Sequence, residues 1–264
     1  MLLTRRLTEH GPRWFAGGRP LPASITLADL LSVHSDELTS LLVTEDKVLE
    51  PTDVLPPIEA NHEVWAAGVT YLRSRMEREA ESTVADVYAK VYEAERPEIF
   101  FKANGWRVIG HHGKIRVRKD SDWNVPEPEL TLVINGFGEI VGYTAGNDVS
   151  SRSIEGENPL YLPQAKCYDG ACAIGPGIVL AGPEALTDLP ITCQVADFNG
   201  SARTSQMRRS LGDLVGYLFK EISFPIGVFL MTGTGIVPSP QFTLKPGHTV
   251  KVRVGELELV NEVE

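Results

Sequence analysis

The sequence predicts a β-rich α+β fold. Four segments alternate apolar and polar residues, or run apolar over a few positions, as is typical of strands: 115–117, 130–134, 178–180 and 250–254. Asn135-Gly136 directly follows the second segment, and this dipeptide favours a hairpin turn. Helical patterns do not alternate regularly with strands along the chain, so we do not expect a doubly wound parallel sheet.

Two segments place their apolar residues at helical spacing. The first begins near Thr83, which with Asp86 resembles an N-terminal capping pair. Its apolar stripe consists of Val84, Val87, Tyr88, Val91 and Tyr92. The second helix is predicted over residues 211–222, with Ser210 and Asp213 at its start.

The N-terminal part of the chain is less regular than the rest. Residues 1–57 are weakly patterned and end in a segment that contains Pro51, Pro56 and Pro57. Clustered prolines are typical of a connection between structural units. We therefore predict a small N-terminal region over residues 1–57 and a catalytic domain over residues 58–264.

The charge balance limits the partners. The chain has 25 lysine and arginine residues against 35 aspartate and glutamate residues, which gives a net charge of −10. Such acidity argues against nucleic acid and anionic membranes as main partners. No segment is apolar over the length that a bilayer requires, and no apolar run of signal-peptide type follows the N-terminal charges. The three cysteines do not make a disulfide framework, so we expect a cytoplasmic protein.

Three carboxylates form a candidate metal site. Glu127 and Glu129 flank Pro128, and alternate residues of an extended chain point to the same side. If residues 140–143 form the return strand of the hairpin, Asp148 comes back beside this pair. Two close carboxylates repel each other unless a cation lies between them, and Mg²⁺ or Mn²⁺ prefers such oxygen ligands. The alternative is a solvated acidic strand end, and spacing alone does not decide between the two.

Two further residues have surroundings that suit proton transfer. Lys166 lies in a turn-rich, largely uncharged segment that can hold a lysine near a reacting group. Glu98 precedes a strongly apolar run, and a carboxyl in such a place can have a raised pKa and act as an acid or a base. Without other information, a surface lysine is the better explanation of Lys166, and an ordinary turn residue is the alternative for Glu98.

Six segments together resemble the fumarylacetoacetate hydrolase superfamily, and they occur in the family's order. They are Gly68-Val-Thr-Tyr71, Phe101-Lys102, Glu127-Pro-Glu129, Gly142-Tyr-Thr-Ala-Gly-Asn-Asp148-Val-Ser-Ser-Arg152, the segment around Lys166, and Thr232-Gly-Thr234-Gly. The resemblance implies a β-sandwich-like roll that carries a metal centre, in a homodimer or a homotetramer. It implies that Glu127, Glu129 and Asp148 are the metal ligands, and Lys166 matches the family's lysine.

One departure from the family pattern bears on the reaction. Hydrolases of the family carry a water-activating histidine three residues after the tyrosine, whereas Ser74 follows Tyr71 here. Residues 95–102 and 153–166 resemble the 2-keto-3-deoxy-D-arabinonate dehydratase branch instead. This resemblance implies a Mg²⁺-dependent dehydratase of a 2-keto-3-deoxy sugar acid, converting 2-keto-3-deoxy-arabinonate to 2,5-dioxopentanoate in pentose catabolism. Mn²⁺ and Ca²⁺ are the expected substitutes for Mg²⁺.

The resemblance also suggests roles for individual residues. We expect Glu98 and Lys166 to share two tasks, the removal of a C3 proton and the protonation of the leaving C4 hydroxyl. The sequence does not say which residue has which task. Candidate substrate contacts are Tyr71, Ser74, Arg152 and Thr234. Arg152 can equally be the partner of a buried carboxylate.

Two other functions stay open at this stage. The chain can be a metal-dependent hydrolase that cleaves a C–C bond of a diketo acid or acylpyruvate, although Ser74 in place of the histidine counts against it. It can also be a non-catalytic protein that binds a keto acid. The presence of both Glu98 and Lys166 favours a catalyst.

Overall fold

The computed structural model describes residues 1–46, 49, 52–81 and 85–264, without the side chains of 77–81 and 85–88. Its strands are β1 (Leu2–Thr8), β2 (Gly11–Ala16), β3 (Arg19–Pro20), β4 (Val54–Leu55), β5 (Glu63–Gly68), β6 (Glu98–Asn104), β7 (Lys114–Ile115), β8 (Asn124–Val125), β9 (Pro128–Ile134), β10 (Ile140–Asp148), β11 (Ser150–Ser151), β12 (Cys172–Leu180), β13 (Pro190–Val195), β14 (Phe198–Arg203), β15 (Val228–Met231), β16 (Thr249–Val254) and β17 (Leu257–Val263). Its α-helices are α1 (Leu27–Leu31), α2 (Leu38–Leu41), α3 (Leu72–Glu81), α4 (Ala85–Glu93), α5 (Arg152–Glu157), α6 (Leu162–Lys166) and α7 (Leu211–Leu218).

Two sheets hold most of the strands. The main sheet has ten strands in the order β3-β2-β1-β12-β10-β9-β15-β5-β6, with β4 paired to β1. A second sheet of five strands has the order β14-β13-β16-β17-β7, and β8 pairs with β11. Within the part of the chain that the structure describes, β15–β5 and β17–β7 are the parallel pairs, and the other pairs are antiparallel. The predicted β-rich α+β fold is therefore confirmed.

The predicted strands are found, with one shortened. Segment 130–134 lies in β9, segment 178–180 in β12 and segment 250–254 in β16, whereas β7 covers only the first residue of segment 115–117. β9 and β10 form the predicted hairpin. The side-chain oxygen of Asn135 accepts the N–H groups of Phe137 at 3.0 Å and Glu139 at 2.9 Å. The asparagine therefore closes a turn that is longer than the two-residue type.

The helix predictions are only partly right. α7 begins as predicted, and Ser210 caps it by accepting the Asp213 N–H at 3.0 Å. It ends at Leu218 rather than at residue 222. After Leu218 the chain turns, and the centroid of the Phe219 ring lies 5.1 Å from that of Phe224. α4 matches the end of the first predicted stripe, while Thr83 and Val84 lie outside the described residues. Among the described residues, no helix has both the length and the apolar character to cross a membrane.

α3 was not predicted from the sequence. Its first six residues offer two large apolar side chains, Leu72 and Met76, and these are 52% and 61% exposed. A helix without a buried stripe leaves no periodic signal. Where the chain enters α3, the Ser74 hydroxyl accepts the backbone N–H of Tyr71 at 3.3 Å, as a capping side chain does.

The centre of the main sheet is buried on both faces. On one face, Leu130 and Leu132 belong to a core cluster shared with the second sheet. On the other face, Val133 and Phe229 pack in a second cluster that includes Leu30 of α1. Burial on both faces explains why β9 is buried at every position and reads as a continuous apolar run.

The N-terminal region takes part in this main sheet. β1 pairs with β12, while β2 and β3 extend the edge beyond β1. β4 also pairs with β1, with Arg5 opposite Leu55 and Arg6 opposite Val54. The division at residue 57 stays a prediction.

Candidate metal centre

The three predicted carboxylates meet at one end of the β9–β10 hairpin. Glu127 precedes β9, Glu129 is its second residue, and Asp148 is the last residue of β10. The register pairs Gly146 with Glu129, and the Asp148 N–H donates to the Glu127 carbonyl at 2.9 Å. One oxygen atom from each of the three side chains lies within 4.8 Å of the others. The sequence therefore predicted correctly that the three side chains lie close together. All three are buried, so they are not the solvated acidic strand end that was the alternative.

The surroundings of Glu129 disfavour its charged form. Its side-chain Oε2 accepts the backbone N–H of Gly233 at 2.6 Å. Its pKa is nevertheless raised well above the ordinary value, first because burial disfavours the charged form and then because Asp148 and Glu127 are close. A cation between the three carboxylates would remove this repulsion.

Lys166 and Arg152 are buried cations that contact the carboxylates. The Lys166 Nζ donates to Glu127 Oε2 at 2.7 Å, to Asp148 Oδ2 at 3.0 Å and to the Ser150 hydroxyl at 2.6 Å. The Arg152 Nη2 donates to Glu127 Oε1 at 2.9 Å. The geometry therefore shows Arg152 as the partner of a buried carboxylate, which was one of its two predicted roles.

A cavity beside the carboxylates is lined by Glu98, Glu127, Asp148 and Lys166 among others. Glu98 reaches it from β6. Glu98 is the register partner of Gly68 in β5, and a Cβ atom on Gly68 would lie 1.8 Å from Glu98 Oε2. Only glycine leaves room for the carboxylate there. The two residues predicted for proton transfer thus lie in one cavity with two of the candidate metal ligands.

The remaining predicted contacts lie around this cavity. Ser74 and Thr234 line it, and their hydroxyls donate to the carbonyls of Tyr71 at 2.8 Å and Ile236 at 3.2 Å. Tyr71 lies in a neighbouring cavity, and its buried hydroxyl has no hydrogen-bond partner among the described residues. Burial raises the pKa of Tyr71, and the nearby Glu129 raises it further, so the phenol is neutral.

Sequence reasoning assigned no role to three participants. Lys102 lies in β6 where its register with β5 shifts between Phe101 and Ala103, so regular strand alternation did not single it out. Glu155 is 1% exposed, lines the cavity, and lies three residues after Arg152 in α5, so helical spacing was its signal. The Gly233 N–H contributes through the backbone, which leaves no trace in a side-chain pattern.

The donor set fits a hard divalent cation. The three candidate ligands offer only carboxylate oxygens, the ligand type that Mg²⁺, Mn²⁺ and Ca²⁺ prefer. They lie on adjacent strand ends held by backbone hydrogen bonds, so the oxygens converge without a mobile loop. The fold and the site together define a strand-rich protein with a buried carboxylate cluster, suited to a divalent cation, at the end of a hairpin.

Comparison with known proteins assigns the chain to a family. The chain belongs to the fumarylacetoacetate hydrolase family, because the family profile described as fumarylacetoacetate (FAA) hydrolase C-terminal matches residues 63–264. The superfamily expected from the six sequence segments is therefore confirmed.

Two relatives and one solved structure are similar over most of their lengths. The chain is 44% identical over 247 residues to a probable 2-keto-3-deoxyxylonate dehydratase of Haloferax volcanii, covering 87% of this chain and 84% of that protein. It is 42% identical over 231 residues to the 2-dehydro-3-deoxy-D-arabinonate dehydratase of Saccharolobus solfataricus, covering 83% and 75%. The structure of a 2-keto-3-deoxy-D-arabinonate dehydratase complexed with magnesium and 2,5-dioxopentanoate superposes with a TM-score of 0.81 at 31% identity, covering 100% and 99% of the two chains.

Proposed function

We propose that the protein is a Mg²⁺-dependent dehydratase, a hydro-lyase, of a 2-keto-3-deoxy sugar acid. The substrate that fits best is 2-keto-3-deoxy-arabinonate, which loses water to give 2,5-dioxopentanoate. The observation that carries the proposal is the shared cavity of Glu98, Lys166 and the carboxylates Glu127 and Asp148. The similarity to two dehydratases of such acids, at 42% and 44% identity, supports the choice of reaction.

Glu127, Glu129 and Asp148 would hold the metal. When bound, Mg²⁺ supplies Lewis acidity that makes the protons next to a 2-keto group easier to remove, and Mn²⁺ or Ca²⁺ would be substitutes. The similar structure in complex with magnesium supports this choice of metal. The three buried carboxylates of this chain supply the matching ligand set.

Glu98 and Lys166 would carry the proton transfers. Lys166 donates to three oxygens, which is the contact pattern of an ammonium group, so it suits the protonation of the leaving C4 hydroxyl. Glu98 then suits the removal of the C3 proton. Loss of the C4 hydroxyl as water and a tautomeric shift leave an aldehyde at C5. Each atom lost from the substrate thus leaves as part of one water molecule.

The candidate substrate contacts fit this scheme to different degrees. Ser74 and Thr234 line the cavity and would contact the sugar-acid chain. Tyr71 has a buried hydroxyl without a partner among the described residues, so it can donate to a substrate oxygen. Arg152 would act mainly by holding Glu127, and a direct contact between Arg152 and the substrate remains a proposal.

A substrate panel tests the reaction. The purified protein, given 2-keto-3-deoxy-arabinonate or the xylonate-derived acid, should release a semialdehyde with Mg²⁺ and none with EDTA. Glu127→Gln and Asp148→Asn should each abolish the Mg²⁺-dependent turnover and keep the circular dichroism spectrum of the unaltered protein. Full activity in either variant would contradict the proposed site.

Two other outcomes would replace the proposal. Cleavage of an acylpyruvate to pyruvate and an acid would favour the hydrolase that the sequence left open. Calorimetric binding of oxalate or pyruvate without turnover of any sugar acid would favour a non-catalytic keto-acid-binding protein. The position of Ser74, where a water-activating histidine would be needed, counts against the first of these.

Three wider expectations accompany the proposed function. A role in pentose catabolism follows from the substrate, and a cytoplasmic location and a homodimer or homotetramer were expected from the sequence. All three stay predictions. Sedimentation velocity of the purified protein would measure the oligomeric state directly.

A further inference from the structure

Lys102 is a fully buried lysine that no step of the proposed reaction uses. Its side chain is 0% exposed, and it lies in β6 four residues after Glu98. Its ammonium contacts the Asp148 carboxylate at Oδ1 and the backbone carbonyl of Lys166. It also donates to the carbonyl of Val149 at 3.3 Å.

These contacts set Lys102 apart from Lys166. Lys102 donates to two backbone carbonyls and forms an ion pair with Asp148 Oδ1. Lys102 is also not among the residues that line the cavity, whereas Lys166 is. Lys102 therefore does not face a substrate in the cavity, which separates its role from that of Lys166.

The partners of Lys102 belong to two different parts of the site. Asp148 is a candidate metal ligand, and its other oxygen, Oδ2, accepts from Lys166 at 3.0 Å. The carbonyl of Lys166 is the last one of α6, the helix that presents the proposed proton donor. One buried ammonium thus connects β6, the end of β10 and the end of α6.

We propose that Lys102 is a positioning residue that sets the place of the Asp148 carboxylate relative to the Lys166 side chain. It holds Asp148 at Oδ1, so that Oδ2 remains directed towards Lys166. The same ammonium group also holds the backbone carbonyl of Lys166. This inference rests on the proposed function for its catalytic part, while its metal-binding part does not.

Calorimetric titration with Mg²⁺ alone, without substrate, tests the metal-binding part. Residues that orient metal ligands typically change metal affinity or activity about 10–100-fold when they are removed. Lys102→Met should therefore raise the Kd for Mg²⁺ by about 10–100-fold. At saturating Mg²⁺, its kcat should stay lowered because the Lys166 backbone is also released, while KM changes little.

Arg13→Met is the matched control. Arg13 is a buried cation that likewise contacts a carboxylate, Glu45 at 3.1 Å, and a backbone carbonyl, that of Leu21 at 2.5 Å. It lies in β2, away from the cavity. Arg13→Met should lower the thermal midpoint but leave Mg²⁺ affinity and kcat unchanged.

The outcomes separate this inference from the proposed function. Unchanged Mg²⁺ affinity in Lys102→Met, or an equal loss in Arg13→Met, would overturn the role of Lys102. A protein that binds Mg²⁺ in the predicted Lys102-dependent way but dehydrates no sugar acid would instead refute the proposed function.

A second variant covers the case in which Lys102→Met does not fold. Lys102→Arg keeps a buried cation, but a planar guanidinium does not reproduce the three-directional contacts of an ammonium. Its Mg²⁺ affinity should fall by about 10-fold. Wild-type affinity in Lys102→Arg would then overturn the proposal.

Discussion

Gly68 is the residue that lets the Glu98 carboxylate enter the cavity. A Cβ atom at this position would lie 1.8 Å from Glu98 Oε2 and 2.7 Å from its carboxyl carbon. We expect Gly68→Ala to push the carboxylate aside while the fold persists, because the end of a flexible side chain gives way more easily than backbone. The kcat should then fall about 100-fold, the scale of a lost general acid or base, with little change in Mg²⁺ affinity.

Gly216 in α7 provides the control for Gly68→Ala. A Cβ atom at Gly216 would meet no atom within 4 Å. Alanine in a helix is favoured over glycine by roughly 0.5–1 kcal/mol, so Gly216→Ala should raise the thermal midpoint and leave the kcat alone. Normal kcat in Gly68→Ala would show that the position of Glu98 does not limit turnover.

At the same scale, the sequence predicted that the three carboxylates lie close together, but it did not predict the contact between the two buried lysines. Glu127, Glu129 and Asp148 follow from alternation in one strand and the return of a hairpin, which are local properties of the chain. Lys102 and Lys166 come together through contacts between residues 64 positions apart. No local period predicts such a contact, so the role of Lys102 became visible only when β6, β10 and α6 were in place.

At the scale of elements, the β9–β10 hairpin is fastened to the N-terminal region by Glu139. Its carboxylate accepts the Asn135 side-chain N–H at 2.6 Å and the Ser35 backbone N–H at 2.8 Å. These bonds, first that from Asn135, lower the pKa of Glu139 from 4.5 to about 2. Because the folded pKa lies below the unfolded one, the carboxylate stabilises the fold above pH 4.5, and this contribution disappears as the pH falls towards 2.

Glu139→Gln should therefore lower the free energy of unfolding at neutral pH. The difference from the unaltered protein should shrink as the pH falls from 4.5 towards 2, where Glu139 becomes protonated. Chemical denaturation at several pH values measures this. Glu262→Gln removes the same charge from an exposed position of β17 and should show a much smaller pH-dependent difference. Equal behaviour of the two variants would contradict the role of Glu139.

The elements differ in how far sequence predicts them. The hairpin was predictable because Asn135 and Gly136 sit between two apolar runs and the turn is local. The start of α7 was predictable from its capping serine. Its end was not, because the chain beyond it packs through a contact between the Phe219 and Phe224 rings that leaves no local pattern in the sequence. α3 has little buried apolar surface in its first turns, so its helical form depends on its surroundings and was missed.

At the scale of the whole molecule, the two core clusters share one sheet. The cluster on the N-terminal side includes residues from both sides of position 57. From residues 1–57, it contains Leu3, Trp14, Ala16, Leu21, Leu27, Leu30, Leu31, Leu38 and Leu42. From the rest of the chain, it contains central sheet residues such as Val133, Phe229 and Met231. The candidate metal centre lies at the ends of β9 and β10, so its geometry depends on this shared packing.

Removal of residues 1–57 should therefore prevent the remainder from folding cooperatively. Burial of one large apolar side chain contributes ~1.5–3 kcal/mol, and the net stability of a whole domain is only ~5–15 kcal/mol. Loss of these buried side chains would uncover Val133 and Phe229 at the centre of the main sheet. We expect the 58–264 chain to bind a hydrophobic dye, to melt without a sharp transition and to bind no Mg²⁺ in calorimetry.

Leu30→Ala in the full-length chain separates loss of packing from loss of the whole region. It removes one buried side chain of α1 from the same cluster and should cost ~2–5 kcal/mol while the transition stays cooperative. Because the candidate metal ligands lie at the start of β9 and the end of β10, and not in this cluster, Mg²⁺ affinity should persist as long as this variant is folded. A sharp thermal transition and unchanged Mg²⁺ binding in the 58–264 chain would instead show that the predicted catalytic domain is autonomous, with the N-terminal strands as a dispensable edge.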